Sequence, residues 1–161
     1  MDQKERNDKI EQYGQGFELL TAALDYVPRK AWEFKPSSTE WSVHEIIVHI
    51  GDSESMAALR LRKLIVEPGS LLMGYEEAKW ADALDYQKQD PEDSLQVIKY
   101  ARQTSYRLLK TLSDEVFTHS VTHPERSEPY TLEMWLNIYS KHIPDHIAQI
   151  KNSSEAWKRS K

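Results

Sequence analysis

Residues 42–64 read SVHEIIVHIGDSESMAALRLRKL and carry the pattern of an amphipathic helix along their whole length. Ser42 and Glu45 have the spacing of a capping box, in which each side chain accepts a hydrogen bond from the other's free backbone N–H. Apolar and small residues then recur every three or four positions, which places them on one face of a helix: Ile46, Ile50, Ser53, Ala57, Leu61 and Leu64. His49 falls on this face. We expect the helix to end before Pro68 and Gly69.

Three further stretches show helical periodicity. In chain order, residues 42–64 are the second of four stretches. The first runs from Ile10 to Leu24 and is expected to stop before Pro28. The third begins at Asp90-Pro91, an N-cap aspartate followed by proline at the first helical position. The residues predicted for its buried face are Leu95, Ile98, Ala101, Ser105, Leu108 and Leu112. The fourth begins near Thr131, and its predicted buried residues are Trp135, Ile138, His142, His146 and Ile150.

Four helices without β-branched alternation predict an all-α four-helix bundle, in up-down-up-down order, with no need for strands. We expect one domain over residues 1–161, with its core in residues 5–152. The linkers 67–90 and 113–130 are long for such a bundle, and long ordered loops are often functional. Tyr75 and Trp80 in the first linker are expected mainly to cover the end of the core, with a role at a site as the alternative.

Charge, hydropathy and the lack of cysteine argue against several classes of function. The net charge of −5 argues against nucleic acid as a partner. No apolar run approaches the ~20 residues that cross a bilayer, and the opening MDQKERND lacks the pattern of a signal peptide, so we expect a cytoplasmic protein. The absence of cysteine excludes disulfides, thiolate metal sites and a cysteine nucleophile.

Three histidines suggest a metal site. His142 and His146 are four residues apart, so on a helix they project from nearly the same face. Together with His49 they would supply three imidazole ligands from facing helices and leave a coordination position open, as a catalytic metal site requires. The alternative is that each is a hydrogen-bonded core histidine.

The remaining histidines are not expected to bind metal. His44 and His49 are five residues apart, about 140° around a helix, so they cannot share an ion. His44 is expected in the exposed first turn of its helix. His119 and His123 precede the last helix, where surface positions are the default; an approach of His123 to the site from above is the alternative.

The chain resembles a known family. Residues 41–54, WSVHEIIVHIGDSE, resemble the W-S-x-x-E-I-x-x-H-x-x-D-S-E signature of DinB-like proteins. Residues 75–81, YEEAKWA, resemble a loop of the YfiT-like metal-dependent hydrolases within that superfamily, as does His123-Pro124. Residues 131–150 are similar to that group's T-L-x-x-x-L-x-x-Y-x-x-H-x-x-x-H-x-x-Q-I. The matches span residues 36–150 in the right order.

This resemblance implies a four-helix bundle, frequent homodimerisation and a divalent metal, Zn²⁺ or Ni²⁺, held by His49, His142 and His146. It also implies a small-molecule substrate and either hydrolysis or S-transfer from a low-molecular-weight thiol. A non-catalytic metal-binding or stress-response protein that binds a partner is the third hypothesis. Members of a family share their fold and metal site more often than their activity, so the resemblance predicts the fold and the metal better than the reaction.

Two further residues, Pro144 and Asp52, bear on the geometry of the predicted metal site. Pro144 lies between His142 and His146 and removes a helical hydrogen bond to Ser140, which puts ideal geometry in question. Asp52, one turn after His49, is a candidate for orienting that imidazole, with a solvated surface acid as the equal alternative. No general base stands out in the sequence.

Overall fold

The computed structural model describes all 161 residues, which form six α-helices and one short strand pair. The helices and strands are α1 (Gln3–Gly14), α2 (Gly16–Leu24), α3 (Val43–Val66), α4 (Glu77–Ala83), α5 (Pro91–Leu109), β1 (Ser120–Val121), β2 (Tyr130–Thr131) and α6 (Leu132–Arg159). Helices α1 and α2 are two halves of one long helix interrupted at Gln15, so the bundle has four members. The predicted all-α four-helix bundle is confirmed. No helix combines the length and apolar character that crossing a membrane requires.

The predicted caps begin the helices as expected. Ser42 Oγ accepts from the Glu45 N–H, and Glu45 Oε2 accepts from the Ser42 N–H at 2.8 Å, completing the capping box. Asp90 caps α5 with Pro91 as its first residue, and Thr131 caps α6. The strand pair was not anticipated, because two-residue strands carry no alternation to read.

The order of helix directions differs from the predicted up-down-up-down. Helices α3 and α5 are parallel: His44 contacts Gln89 just before the start of α5, whereas Arg62 reaches Thr104 near its end. Helix α6 is antiparallel to α3, since the Trp135 indole N–H donates to the Ala57 carbonyl while residues later in α6 lie beside earlier ones in α3.

The first helix completes an up-down-down-up arrangement. It is antiparallel to α5, because Gly16 lies against Arg102 whereas the earlier Gly14 lies against Tyr106. The physical reason is the linker of residues 67–90. It is long enough to return along the bundle from the end of α3 to the end where α3 begins, so that α5 starts there and runs parallel to α3.

Two apolar clusters form the core. The Trp135 cluster includes Ile10, Tyr13, Leu61, Trp135 and Leu136. The Ile47 cluster includes Leu20, Ile47, Ile98, Ile143 and Ile150. We define a polar layer as His49, Glu54, Arg102 and His142. On α5 and α6 its residues lie between those of the two clusters, whereas on α3 His49 lies beside residues of the Ile47 cluster.

The buried face of α5 differs from the prediction. Its buried positions include Arg102 and Leu109, whereas Ala101, Leu108 and Leu112 are only half-buried. The charged residue Arg102 occupies a buried position. The prediction, which followed apolar residues only, therefore assigned the buried face to neighbouring positions. On α6, Ile138 is likewise exposed rather than buried.

Candidate metal centre

The structure brings His49, His142 and His146 together. One imidazole nitrogen from each lies within 4.8 Å of those from the other two. His142 Nε2 and His146 Nε2 are 3.1 Å apart. Two nitrogens bound 2.0–2.1 Å from a tetrahedral ion would be separated by about 3.3 Å. The spacing of this pair therefore suits two ligands of one ion.

Pro144 does not separate the pair. Helix α6 continues through it from Leu132 to Arg159. The lost backbone hydrogen bond leaves both imidazoles on one face, with their ring planes perpendicular and centroids 4.5 Å apart. The kink considered from the sequence does not widen the site.

His49 is fully buried and is oriented by a tyrosine. Its Nδ1 lies 3.3 Å from the Tyr75 hydroxyl, and the Trp41 ring packs against the imidazole at a centroid distance of 4.7 Å. His49 Nε2 is buried without a hydrogen-bond partner. A buried polar atom left unsatisfied costs free energy. When the Tyr75 hydroxyl accepts a hydrogen bond from the Nδ1 proton, Nε2 presents a lone pair that a metal ion can use.

Asp52 does not contact His49. Its carboxylate accepts a hydrogen bond of 2.7 Å from the hydroxyl of Tyr86. Burial raises the pKa of Tyr86, and the neighbouring Tyr75 hydroxyl and the Asp52 carboxylate raise it further. The partner of His49 is therefore Tyr75, and Asp52 lies behind Tyr86. Tyr75 also packs on Trp80, so the first long linker both covers the core and reaches the site.

Glu54 faces His142. Its Oε1 lies 3.6 Å from His142 Nδ1, and the carboxylate is completely buried. Burial opposes its ionisation, but the Arg102 guanidinium outweighs that effect and holds the pKa of Glu54 below its ordinary value. A carboxylate behind a histidine favours the proton on Nδ1 and leaves Nε2 free to bind a metal.

Arg102 is held by main-chain carbonyls as well as by Glu54. Its guanidinium donates to the carbonyls of Tyr13 and Tyr139 and pairs with the Glu54 carboxylate. A Cβ on Gly16 would lie 2.7 Å from this guanidinium, so glycine is needed where the first helix passes Arg102. The buried pair thus ties three helices to the histidine on α6.

Gln149 orients the third histidine. Its Oε1 lies 2.7 Å from His146 Nδ1. An amide oxygen can only accept, so His146 Nδ1 carries the proton and Nε2, which faces His142, does not. A different group therefore lies behind each imidazole: a phenol within hydrogen-bond distance of His49, a carboxylate just beyond that distance from His142, and an amide within it at His146.

Sequence reasoning missed Glu54, Tyr75 and Gln149 in these positions, although all three lay in the quoted family motifs. Gln149 could have been found from helical spacing, because it follows His146 by three residues, a spacing at which helical side chains meet. Glu54 could not, because it is five residues after His49, about 140° around the helix. Tyr75 is on a linker, where no periodicity predicts the contact.

The imidazoles are electrostatically suited to be neutral ligands. Burial, followed by its two histidine neighbours, lowers the pKa of His49 to about 2. Burial, followed by His142, lowers the pKa of His146 to about 4. Three imidazoles with no thiolate fit zinc, nickel or a similar first-row ion.

A cleft of about 450 Å³ opens beside the centre and is lined by His142, Ser53 and Tyr75 among others. Ser53 Oγ lies 3.3 Å from His142 Nε2. The cleft is large enough for a small ligand next to the histidines.

The other histidines lie elsewhere. His44 is half-buried rather than exposed, with Nε2 2.8 Å from the Gln89 carbonyl. His119 is half-buried, with Nδ1 3.2 Å from the Leu64 carbonyl. His123 is buried and lines the cleft beside the site, which agrees with the alternative expected for it and not with a surface position. None of these belongs to the three-histidine cluster.

Comparison with known proteins shows the family and the fold. The model of the DinB superfamily matches residues 12–150. YfiT of Bacillus subtilis, which carries the provisional name of a metal-dependent hydrolase, is 31% identical over 114 residues, 71% of this chain and 64% of its own length. A protein of Bacillus licheniformis with the same kind of name is 25% identical over 150 residues, 93% of this chain and 85% of its own.

The solved structure of Bacillus subtilis YfiT superposes with a TM-score of 0.89 at 24% identity, covering 98% of this chain and 90% of that one. Its description gives that protein an unusual four-helix bundle topology. The aligned sequence spans less than two thirds of the YfiT relative's length. The match to the family model over most of the chain shows that this protein belongs to the DinB superfamily.

Proposed function

We propose that this DinB superfamily protein is a metal-dependent hydrolase of a small electrophilic substrate. His49, His142 and His146 would hold a divalent ion, and the substrate would occupy the adjoining cleft. The observation that carries the proposal is the convergence of three imidazole nitrogens within 4.8 Å. The names of the relatives give independent support for the reaction class.

When bound, a divalent ion supplies Lewis acidity, which lowers the pKa of water or of a thiol that it binds towards neutrality. The chain's own part is to present three imidazoles. Tyr75 and Gln149 keep their histidines with the Nδ1 proton towards the protein, and ionised Glu54 does the same for His142. Burial of His49 behind Trp41 and Tyr75 keeps bulk water from that side of the centre.

Ser53 and Tyr139 are placed to contact a substrate in the cleft. Ser53 Oγ, close to His142, can donate a hydrogen bond to an oxygen on the reacting group. The Tyr139 hydroxyl, which accepts from Arg60 at 3.5 Å, has its own proton available for the same cleft. These groups orient a substrate and do not themselves act as nucleophiles.

A low-molecular-weight thiol is the second candidate nucleophile. The protein has no cysteine, and about 450 Å³ accommodates a thiol beside a small electrophile. In that case the product would be a thioether or thioester in place of a hydrolysed substrate.

The test compares turnover by the zinc- and nickel-loaded wild type with that of His142→Ala, using His119→Ala as the control. Small chromogenic esters and amides report hydrolysis, and an electrophile with glutathione reports thiol transfer. We expect turnover by the wild type and His119→Ala and its loss in His142→Ala. Equal turnover in all three, or none from metal-loaded wild type, would contradict a catalytic role.

A further inference from the structure

Beyond the three histidines, the same cleft contains a buried cation. Arg60 lines the cleft, is 8% exposed and forms no ion pair with any acidic residue. Its Nη1 donates to the Tyr139 hydroxyl at 3.5 Å and its Nη2 to the Met73 carbonyl at 3.1 Å. Nε has no partner. A guanidinium has five N–H donors, so most of its hydrogen-bonding capacity is unused.

The lack of an ion pair at Arg60 contrasts with Arg102. Both arginines are buried in the bundle, but the charge of Arg102 is matched by Glu54. A buried charge without a partner is costly, and native structures rarely retain one without a use. No carboxylate of the chain pairs with Arg60, so its charge remains available to an anion from outside the protein.

His123, a buried residue, adds a second donor to the cleft. Its Nδ1 accepts a hydrogen bond of 3.2 Å from the Glu125 backbone N–H. Burial, followed by the charge of Arg60, lowers the pKa of His123, so the ring is neutral at pH 7. With Nδ1 an acceptor, the ring proton must be on Nε2, which has no partner within the protein.

Charges at the mouth limit what can enter. Glu77 and Glu125 line the cleft and are exposed, together with the cation Arg126. The buried wall thus offers N–H and O–H donors and one formal positive charge, whereas the entrance carries two carboxylates. A singly charged anion would match the wall, whereas a phosphate dianion would be repelled more strongly at the entrance.

We propose that Arg60, assisted by His123, binds a carboxylate group of the substrate in this cleft. The planar guanidinium fork matches the two oxygens of a carboxylate. Tyr139 links the two parts of the site, because its hydroxyl contacts Arg60 and its ring packs on His142 at a centroid distance of 5.8 Å. The substrate class is then a small carboxylic acid whose reacting group lies near the histidines. This assignment rests on the proposed function for its catalytic meaning, but carboxylate binding itself can be measured separately.

The experiment measures binding of benzoate and of its neutral analogue benzamide to the full-length protein by NMR titration. Metal-free and zinc-loaded samples are both used, and their zinc content is measured. We expect benzoate to bind at least about tenfold more tightly than benzamide in both samples. Arg60→Gln should abolish that preference, and Arg62→Gln, an exposed arginine on the same helix outside the cleft, should keep it.

Two further variants protect the test against loss of folding in Arg60→Gln. Arg60→Lys retains the charge without the fork and should keep a reduced preference. His123→Phe should weaken benzoate binding while leaving benzamide unchanged. The proposal is overturned if wild type shows no preference for benzoate, if the preference survives Arg60→Gln, or if inorganic phosphate binds more tightly than benzoate. Zinc binding without a benzoate preference would refute the carboxylate site alone, whereas a benzoate preference in a protein that takes up no zinc would refute the proposed function alone.

Discussion

The Trp135 cluster and the polar layer lie next to each other in one bundle but are stabilised by different physics. The cluster is a set of interdigitated apolar side chains, stabilised by area removed from water and tolerant of small changes in shape. In the polar layer, Glu54 and Arg102 are stable in the interior only as a pair and with their hydrogen bonds made. The comparison shows that a buried ion pair facing His142 occupies interior volume that apolar side chains could have filled.

Breaking the ion pair should have the largest effect. Arg102→Met leaves Glu54 charged and buried without its partner, which is expected to cost about 3–5 kcal/mol of unfolding free energy. Urea denaturation measures this. Arg107→Met, an exposed arginine on the same helix, should change stability by less than about 0.5 kcal/mol. A loss of under about 1 kcal/mol in Arg102→Met would mean that the pair is not a structural requirement.

Removing both charges separates stability from metal binding. Glu54→Met combined with Arg102→Met should recover most of the lost stability, because buried pairs can often be replaced by apolar residues. Metal affinity should nevertheless fall by about 10- to 100-fold, because His142 loses the carboxylate behind it. Isothermal titration with Zn²⁺ measures the affinity. Wild-type affinity in the double variant would remove Glu54 from the account of the site.

Loss of the hydroxyl behind His49 should have a smaller effect. Tyr75→Phe keeps the ring that packs on Trp80 but removes the group 3.3 Å from His49 Nδ1. We expect zinc affinity to fall by about tenfold with little change in the melting temperature. Tyr100→Phe, at an exposed tyrosine, is the matched control and should change neither. Unchanged zinc affinity in Tyr75→Phe would return Tyr75 to a purely packing role.

The smallest predicted effect on stability concerns Glu45, at the start of α3 and outside both regions. Burial opposes ionisation of Glu45, but hydrogen bonds from Lys35 and Ser42 outweigh it and lower its pKa. A carboxylate whose folded pKa is lowered contributes stability above its unfolded pKa, and that contribution is lost as the pH falls through the folded value. Glu45→Gln keeps the capping box but loses the charge, so it should be about 1 kcal/mol less stable than wild type at pH 7.

Urea denaturation across a pH series checks this sign. The difference between wild type and Glu45→Gln should shrink as the pH falls below about 4.5, the ordinary value for a glutamate. A difference that grows in acid would show that the ionised form of Glu45 is not the favoured one in the folded protein.

The comparison also explains what could be predicted from the sequence. Periodicity found the four helices, because Leu, Ile and Trp residues recur at helical spacing and capping residues mark their beginnings. It placed His49, His142 and His146 on inward faces. It missed Arg102, because a charged residue at a buried position looks like a break in the pattern, and it missed the parallel course of α3 and α5, because a long linker does not reveal where it leads. A role for Tyr75 at a site was only the alternative, and its contact with His49 could not be predicted, since a linker contact depends on the path of the chain in three dimensions.

Metal content measured by mass spectrometry tests the central claim most directly. Untagged wild type, His49→Ala and His44→Ala are purified without metal-affinity resin and then incubated with Zn²⁺ or Ni²⁺. His49 and His44 lie on the same helix, but only His49 belongs to the cluster. The account predicts about one ion per chain in wild type and His44→Ala and almost none in His49→Ala. Full occupancy in His49→Ala, or no metal in wild type, would contradict it and would make the three histidines part of the packed core.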